Sequence, residues 1–468
     1  MTGAVLVLAG CSTPMPPDGR PSASASSPAT PSAIASTAPN PAAKDEPTRA
    51  RNAPSSAPAP AVTDVPPGNA NANTDAAALQ ARCVAWAQAF RPEARAAGIR
   101  EDVLDAAFDG LQCQARVVSL DRSQPEFTRP VWAYLDSAVS PARVARGLAR
   151  LGEPAVRTAL DAASRQDGIP VPVLAAFWGL ESDFGRDAGR IPVIDALVTL
   201  GADGRRETLA RRELLAALRI LQAGDADRTH LVGSWAGAMG QTQFMPSVFL
   251  TDAVDADGDG RRDLWQSLPD VMASTARYLA RRGWRGDEPW GQEVLLPEGF
   301  DAGRADPANP ALARSTADWA AEGLKAADPQ AGGLLPMAQA WVMLPAGRSG
   351  PAFLVGQNWR VILRYNASDS YALAVGLLSD RLAGRNEGVR GAWPRDQAPL
   401  SRTQVQALQQ ALAAQGFQPG PADGVPGSAT RAALRAWQRR EGLPADGYLT
   451  PALWQRIVGP RAEVATPP

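Results

Sequence analysis

The chain has 468 residues, 47 Lys+Arg against 48 Asp+Glu, and an apolar fraction of 45%. That length accommodates two or three domains with real cores, and the balanced charge lacks the basic footprint of a nucleic-acid-binding protein. The single histidine, His230, excludes multi-histidine zinc sites and leaves a Ser-His-Asp arrangement only one centre. By itself it reads as a loop or surface residue before a glycine-rich segment. Three widely spaced cysteines cannot make a four-thiolate site. Chemistry here therefore runs on carboxylates, hydroxyls or amides, and no organic cofactor is expected.

Residues 3–10 are an apolar run too short to span a bilayer, but suited to the h-region of a secretory signal. Leu8-Ala9-Gly10-Cys11 resembles the lipobox of bacterial lipoproteins. The resemblance implies cleavage before Cys11, with lipid on its thiol and amine, although no Lys or Arg precedes it. Ser12 at the next position, rather than Asp, implies the outer membrane. The expected place of work is its periplasmic face in a Gram-negative bacterium. In that oxidising compartment the other two cysteines, Cys83 and Cys113, permit one disulfide; two buried free thiols are the alternative. Residues 12–75 read as a disordered linker. Fourteen of the 42 prolines fall there among Ala, Ser and Thr, with too few large apolar residues for a core. Extended, it reaches on the order of 190 Å.

Helical patterning begins near Ala76, where Leu79, Cys83, Trp86 and Phe90 recur at three- and four-residue steps. Pro141 opens another helix, and Pro170 or Pro172 a third. That third helix carries Val173, Leu174, Phe177, Trp178 and Leu180 around one carboxylate, Glu181. Apolar surroundings disfavour the ionised form and raise the pKa, which suits a general acid acting on a glycosidic oxygen. Asp183, two residues on, points elsewhere and reads as a helix-end residue. Further amphipathic helices cover Arg211–Leu221 and Asp270–Arg282.

Between Gly233 and Pro246 the chain reads Gly-Ser-Trp-Ala-Gly-Ala-Met-Gly-Gln-Thr-Gln-Phe-Met-Pro. Its glycines permit close backbone approach. It lacks the lysine of a phosphate loop. Ser234, Gln241 and Gln243 offer neutral hydrogen bonds suited to sugar hydroxyls and N-acetyl groups. Next, residues 255–263 match the first nine positions of a calcium-binding loop. Asp255, Asp257, Asp259 and Asp263 are spaced as side-chain ligands, Arg261 as a backbone carbonyl ligand and Gly260 for the sharp turn. Gln266 replaces the glutamate of position twelve. A structural calcium ion is expected.

From Gly291 to Gly356, Val294-Leu295-Leu296, Trp341–Leu344 and Phe353–Val355 read as short strands of a small lobe. Tyr365, Asn366 and Tyr371 supply stacking surface and hydrogen bonds for sugar rings, with core tyrosines as the competing reading. A helix returns over Ser370–Leu382. Residues 386–399 read as a linker. Residues 400–458 read as a three-helix binding module, with turns at Asp423-Gly424 and Asp446-Gly447, Thr430 capping the second helix and Thr450-Pro451 opening the last.

Residues from about 80 to 385 resemble the membrane-bound lytic transglycosylase B family of cell-wall enzymes. The matching blocks are Asp121–Phe127, the Glu-Ser-x-Phe-Gly around Glu181, the glycine-rich segment, the Asp-Gly-Asp-Gly loop and Tyr365-Asn366-x-Ser368. Residues 400–458 resemble a peptidoglycan-binding domain. The resemblance implies a mainly helical, lysozyme-like catalytic domain over 76–385 with added helical and small β lobes. It implies Glu181 as the single acid/base, with Ser234, Gln243, Tyr365, Asn366 and Tyr371 in the cleft. The implied reaction cleaves the bond between N-acetylmuramic acid and N-acetylglucosamine and leaves a 1,6-anhydro end. The implied partners are glycan strands and, through Cys11, the membrane; other cell-wall enzymes are candidates. A hydrolytic muramidase and a non-catalytic wall-binding lipoprotein are the alternatives.

Overall fold

The computed structural model describes residues 70–123, 129–385 and 388–459. Cys11, the linker up to residue 69 and positions 124–128 of the Asp121 block lie outside them. The first helix, Ala70–Ala96, starts ahead of the boundary expected at 76. Cys83 on this helix forms a disulfide with Cys113, their Cα atoms 6.2 Å apart. Closing a loop of that size stabilises by about 3–4 kcal/mol in the chain-entropy account.

The fold is mainly helical and is organised around helix Val171–Ser182. Every residue from Val173 to Ser182 is buried, as befits a helix that is apolar on all sides. Each large side chain fully buried there stabilises by about 1.5–3 kcal/mol. Pro170 stands at its N-cap and Pro172 in its first turn, so both prolines mark the start. Against it packs Asp369–Leu382, buried from Tyr371 to Asp380. Helix Pro154–Asp167 packs on Leu268–Arg281, and Val193–Asp203 on Glu207–Ala223. Gly179 is a close-approach position: a Cβ there would lie 2.5 Å from the Phe184 ring.

The expected strands form a four-stranded antiparallel sheet. Its order is Lys325–Ala326, Gly291–Leu295, Ala352–Gly356, Ala340–Met343. The two-residue edge strand Lys325–Ala326 carries no sequence signal. Phe300, Trp319, Leu324, Val342 and Leu354 make a separate small core on this lobe.

The C-terminal module comprises helices Arg402–Ala414, Ser428–Arg440 and Pro451–Val458. Two buried glutamines repeat one device. Gln409 accepts from the Gly424 amide and donates to Asp423; Gln438 accepts from the Gly447 amide and donates to Asp446. Each clamps an Asp-Gly turn. Thr450 caps the last helix as expected, accepting from the Leu453 amide. Thr430 does not cap the second: its hydroxyl is buried between Pro419 and Gln409, and Gly427 stands at the N-cap. The stretch expected as a linker is fastened where described. The Arg390 and Gly391 amides donate to Glu293, Arg395 pairs with Asp136, and Trp393 lies against Trp132 and Phe353.

Candidate active site

Helix Val171–Ser182 ends on two left-handed residues, Asp183 and Phe184, at φ 50° and 62°. For residues other than glycine this costs about 1–2 kcal/mol each, so the surroundings must enforce it. They do. The Ser182 hydroxyl donates to the Trp178 carbonyl and accepts from the Gly185 amide. Phe184 packs edge-on against Trp178. Asp183 receives Arg143, Arg146 and Arg186. Its carboxylate is thereby committed to closing the helix end, in keeping with the sequence reading.

Glu181 is 4% exposed. Tyr371, from the neighbouring helix, donates its hydroxyl to Oε1. Burial pushes the Glu181 carboxyl up to about 8, and the Tyr371 hydrogen bond offsets part of that rise. The apolar wall is an aromatic cluster. Tyr365 lies 4.8 Å from Phe177 and 4.8 Å from Tyr278 between ring centroids, and stacks on Tyr371. Phe244 closes the far side, 5.9 Å from Tyr365. The same burial, together with the neighbouring Glu181 charge, raises the Tyr365 and Tyr371 hydroxyls, keeping both as donors.

The glycine-rich segment is folded on itself. Gly233 has no room for a side chain, since a Cβ would meet the Ala238 carbonyl oxygen at 2.0 Å. Ser234 is half-buried and accepts from the Ala238 amide. The two glutamines are hydrogen-bonded within the protein. Gln241 accepts from the Trp178 indole at 2.7 Å and donates to the Trp265 carbonyl at 2.8 Å. Gln243, at φ 51°, donates to the Ala188 and Gly240 carbonyls. These bonds brace the wall. Tyr365 likewise donates its hydroxyl to the Thr242 carbonyl. Open hydrogen-bonding capacity lies elsewhere: the buried Thr242 Oγ1 and Asn366 Oδ1 have no protein partner among the described residues. Sequence reasoning named Asn366 but missed Thr242, Tyr278 and Phe244, whose places depend on contacts distant in sequence.

Of the five expected calcium ligands, the structure brings three carboxylates together. Ligand oxygens of Asp255, Asp257 and Asp259 lie within 4.8 Å of one another on an exposed loop. Gly260 makes the turn at φ 89°. This oxygen set suits a hard divalent cation. Asp263 is not in that group; its Oδ1 accepts from the Trp265 and Gln266 amides. Buried Asp270, which the sequence reading overlooked as a loop partner, accepts from the Ala256 and Asp263 amides and ties both ends of the loop to helix Leu268–Arg281. His230 is exposed and paired with Asp227.

A buried carboxyl ends a core helix that is joined to the neutral glycine-rich segment by the Trp178–Gln241 hydrogen bond, an arrangement in keeping with a lysozyme-like fold. Residues 82–380 match the Transglycosylase SLT domain family, and residues 401–457 match the Putative peptidoglycan binding domain family. The chain belongs to the SLT transglycosylases and is a peptidoglycan lytic transglycosylase. It is 31% identical over 296 residues to membrane-bound lytic murein transglycosylase B of Escherichia coli K12, covering 60% of this chain and 74% of that protein. Among solved structures, SltB3 of Pseudomonas aeruginosa in complex with NAG-NAM-pentapeptide is 48% identical, with a TM-score of 0.75, over 80% of this chain and 99% of that one. E. coli Slt35 in complex with calcium is 28% identical, with a TM-score of 0.53, over 64% of this chain and 93% of that one.

Proposed function

We propose that Glu181 is the single acid/base of this enzyme, cleaving the β-1,4 bond between N-acetylmuramic acid and N-acetylglucosamine. The observation that carries the reading is the buried carboxyl raised to about 8, with a tyrosine hydroxyl on one oxygen. At neutral pH it holds the proton a general acid needs. That proton passes to the bridging oxygen as the bond to the muramoyl anomeric carbon breaks. Tyr371 then stabilises the carboxylate left behind. The carboxylate takes the proton of the muramoyl 6-hydroxyl as its oxygen bonds to the anomeric carbon. One C–O bond is lost, one forms, Glu181 regains its proton and no water is consumed. Hydrolysis by two carboxyl groups needs a second free acid, and neighbouring Asp183 is held by three arginines.

Ser234 and Asn366 are assigned to sugar contacts. Gln243, Tyr365 and Tyr371 shape the cleft and hold the acid. Asp255, Asp257 and Asp259 are assigned to a structural calcium ion, with the Arg261 carbonyl and Asp263 as outer members. The C-terminal module holds glycan strands, and Cys11 carries a lipid that keeps the enzyme at the periplasmic face of the outer membrane. No described helix is long and apolar enough to cross a membrane. Mass spectrometry of fragments released from purified sacculi tests the mechanism. Muramoyl residues ending in 1,6-anhydro rings are expected; reducing muramoyl ends would instead establish a hydrolytic muramidase.

A further inference from the structure

The second helix of the C-terminal module turns one charged face to the catalytic body. Arg431, Arg435 and Arg439 stand four residues apart, on one side of helix Ser428–Arg440. Arg435 has a side chain only 7% exposed and pairs with Asp306. A guanidinium that dry is tolerated only with its partner in place, so this pair fixes the docked position. Arg439 donates to the Gly303 carbonyl at 3.2 Å. A Cβ on Gly303 would meet the Arg439 guanidinium at 2.6 Å, and one on Gly347 would meet the Asp446 carboxylate at 2.6 Å. The body thus has bare backbone at two points where the module presses. Asp446 also accepts from the Arg348 amide, and Tyr448 packs on the main core.

The third arginine reaches the active-site helix. Arg431 donates to Asp369, the first residue of helix Asp369–Leu382. The same first turn holds Tyr371, whose backbone amide donates to the Ser368 hydroxyl and whose phenol donates to Glu181. We infer that the C-terminal module serves the active site in cis: Arg431 is a positioning residue that acts through Asp369 on Tyr371, and so on the Glu181 carboxyl. The inference rests on Glu181 being the acid. It gives the module a second task beside holding the wall, because seating the module sets the turn from which Tyr371 reaches the acid.

Soluble, uncrosslinked peptidoglycan strands of a few disaccharide repeats test this in the full-length chain, since short strands place little demand on wall tethering. Arg431→Ala is expected to lower kcat about three- to tenfold, the size of one coupled contact, while KM stays within about twofold. Arg431→Lys restores most of the rate, and adding Asp369→Asn to Arg431→Ala costs nothing further. A parental kcat for Arg431→Ala would overturn the inference, leaving the module a tether only. So would a lysine variant no faster than the alanine one, or additive losses in the double variant. The end group formed by the parent tests the mechanism itself, and the ratio of variant to parent tests the coupling whichever end is formed.

Discussion

Glu181 and the Asp255–Asp259 loop use the same functional group in opposite surroundings. Glu181 is a lone carboxyl enclosed by Phe177, Tyr365 and Tyr371, with burial pushing it up to about 8. The three aspartates are exposed, and their oxygens converge within 4.8 Å of one another. Water leaves the first and surrounds the second. The dry carboxyl keeps its proton near neutrality and can act as an acid; the wet ones stay available to share a cation. Chemistry in this protein is thus set less by which residue is chosen than by how much solvent the fold leaves beside it.

Glu181→Gln has the largest expected effect. It removes the exchangeable proton but keeps the shape, and turnover of sacculi is expected to fall about 10³-fold. Its stability should move the other way. A carboxyl raised from 4.5 to about 8 on folding keeps its proton in the folded state while the unfolded chain has lost it. Its contribution is therefore full below 4.5 and drains away as pH rises through 8. The loss is on the order of 4–5 kcal/mol across that window. Thermal melts should show this slope in the parent and a flatter one in Glu181→Gln.

The exposed site gives the next largest effect. With calcium at about a hundred times its dissociation constant, mass action adds about 2.7 kcal/mol, which at this size raises Tm by about 2–4 °C. Chelation should reverse the rise. Asp255→Asn with Asp257→Asn should abolish the response to calcium while sacculus cleavage persists. A Tm indifferent to calcium in the parent would leave these aspartates as a solvated loop.

How far each region was legible follows from where its partners lie in the chain. The apolar setting of Glu181 is written within residues 173–180, because successive helix turns are neighbours in sequence. The outer part of its cage, Phe244, Tyr278 and Tyr365, arrives from three other segments, and only folding assembles it. Gln241 and Gln243 look like sugar donors in isolation. Gln241 accepts from Trp178 and donates to the Trp265 carbonyl, Gln243 donates to the Ala188 and Gly240 carbonyls, and for Trp178 and Ala188 the distance in sequence exceeds 50 residues. The loop was legible from its aspartate spacing, yet Asp263 serves the amides two and three residues ahead of it. That local habit of aspartate competes with ligation and could have been weighed. Apolar periods make helices such as those over 211–221 and 370–382 legible, whereas short helices such as Glu101–Phe108 and Val131–Ala138, and the two-residue strand Lys325–Ala326, leave too little pattern to read.

The smallest expected effect comes from the hydroxyl that joins Tyr371 to Glu181. Tyr371→Phe keeps the ring, and so keeps the burial that raises the acid, but deletes a bond that favours its ionised form. The carboxyl should therefore rise further. As an acid it becomes more persistent, moving the alkaline limb of the kcat/KM profile upward. As the carboxylate formed after proton transfer it loses its donor, and a hydrogen bond to a charged group is worth about 1.5–3 kcal/mol. Only the part gained on going to the transition state counts in the rate, so a fall of about tenfold in kcat is expected. A pH–rate series on soluble strands separates the two consequences. A lower rate with an unmoved alkaline limb would mean that Tyr371 orders the cleft without touching the proton balance of Glu181. A lower rate with the limb displaced upward is what a donor on the acid itself requires.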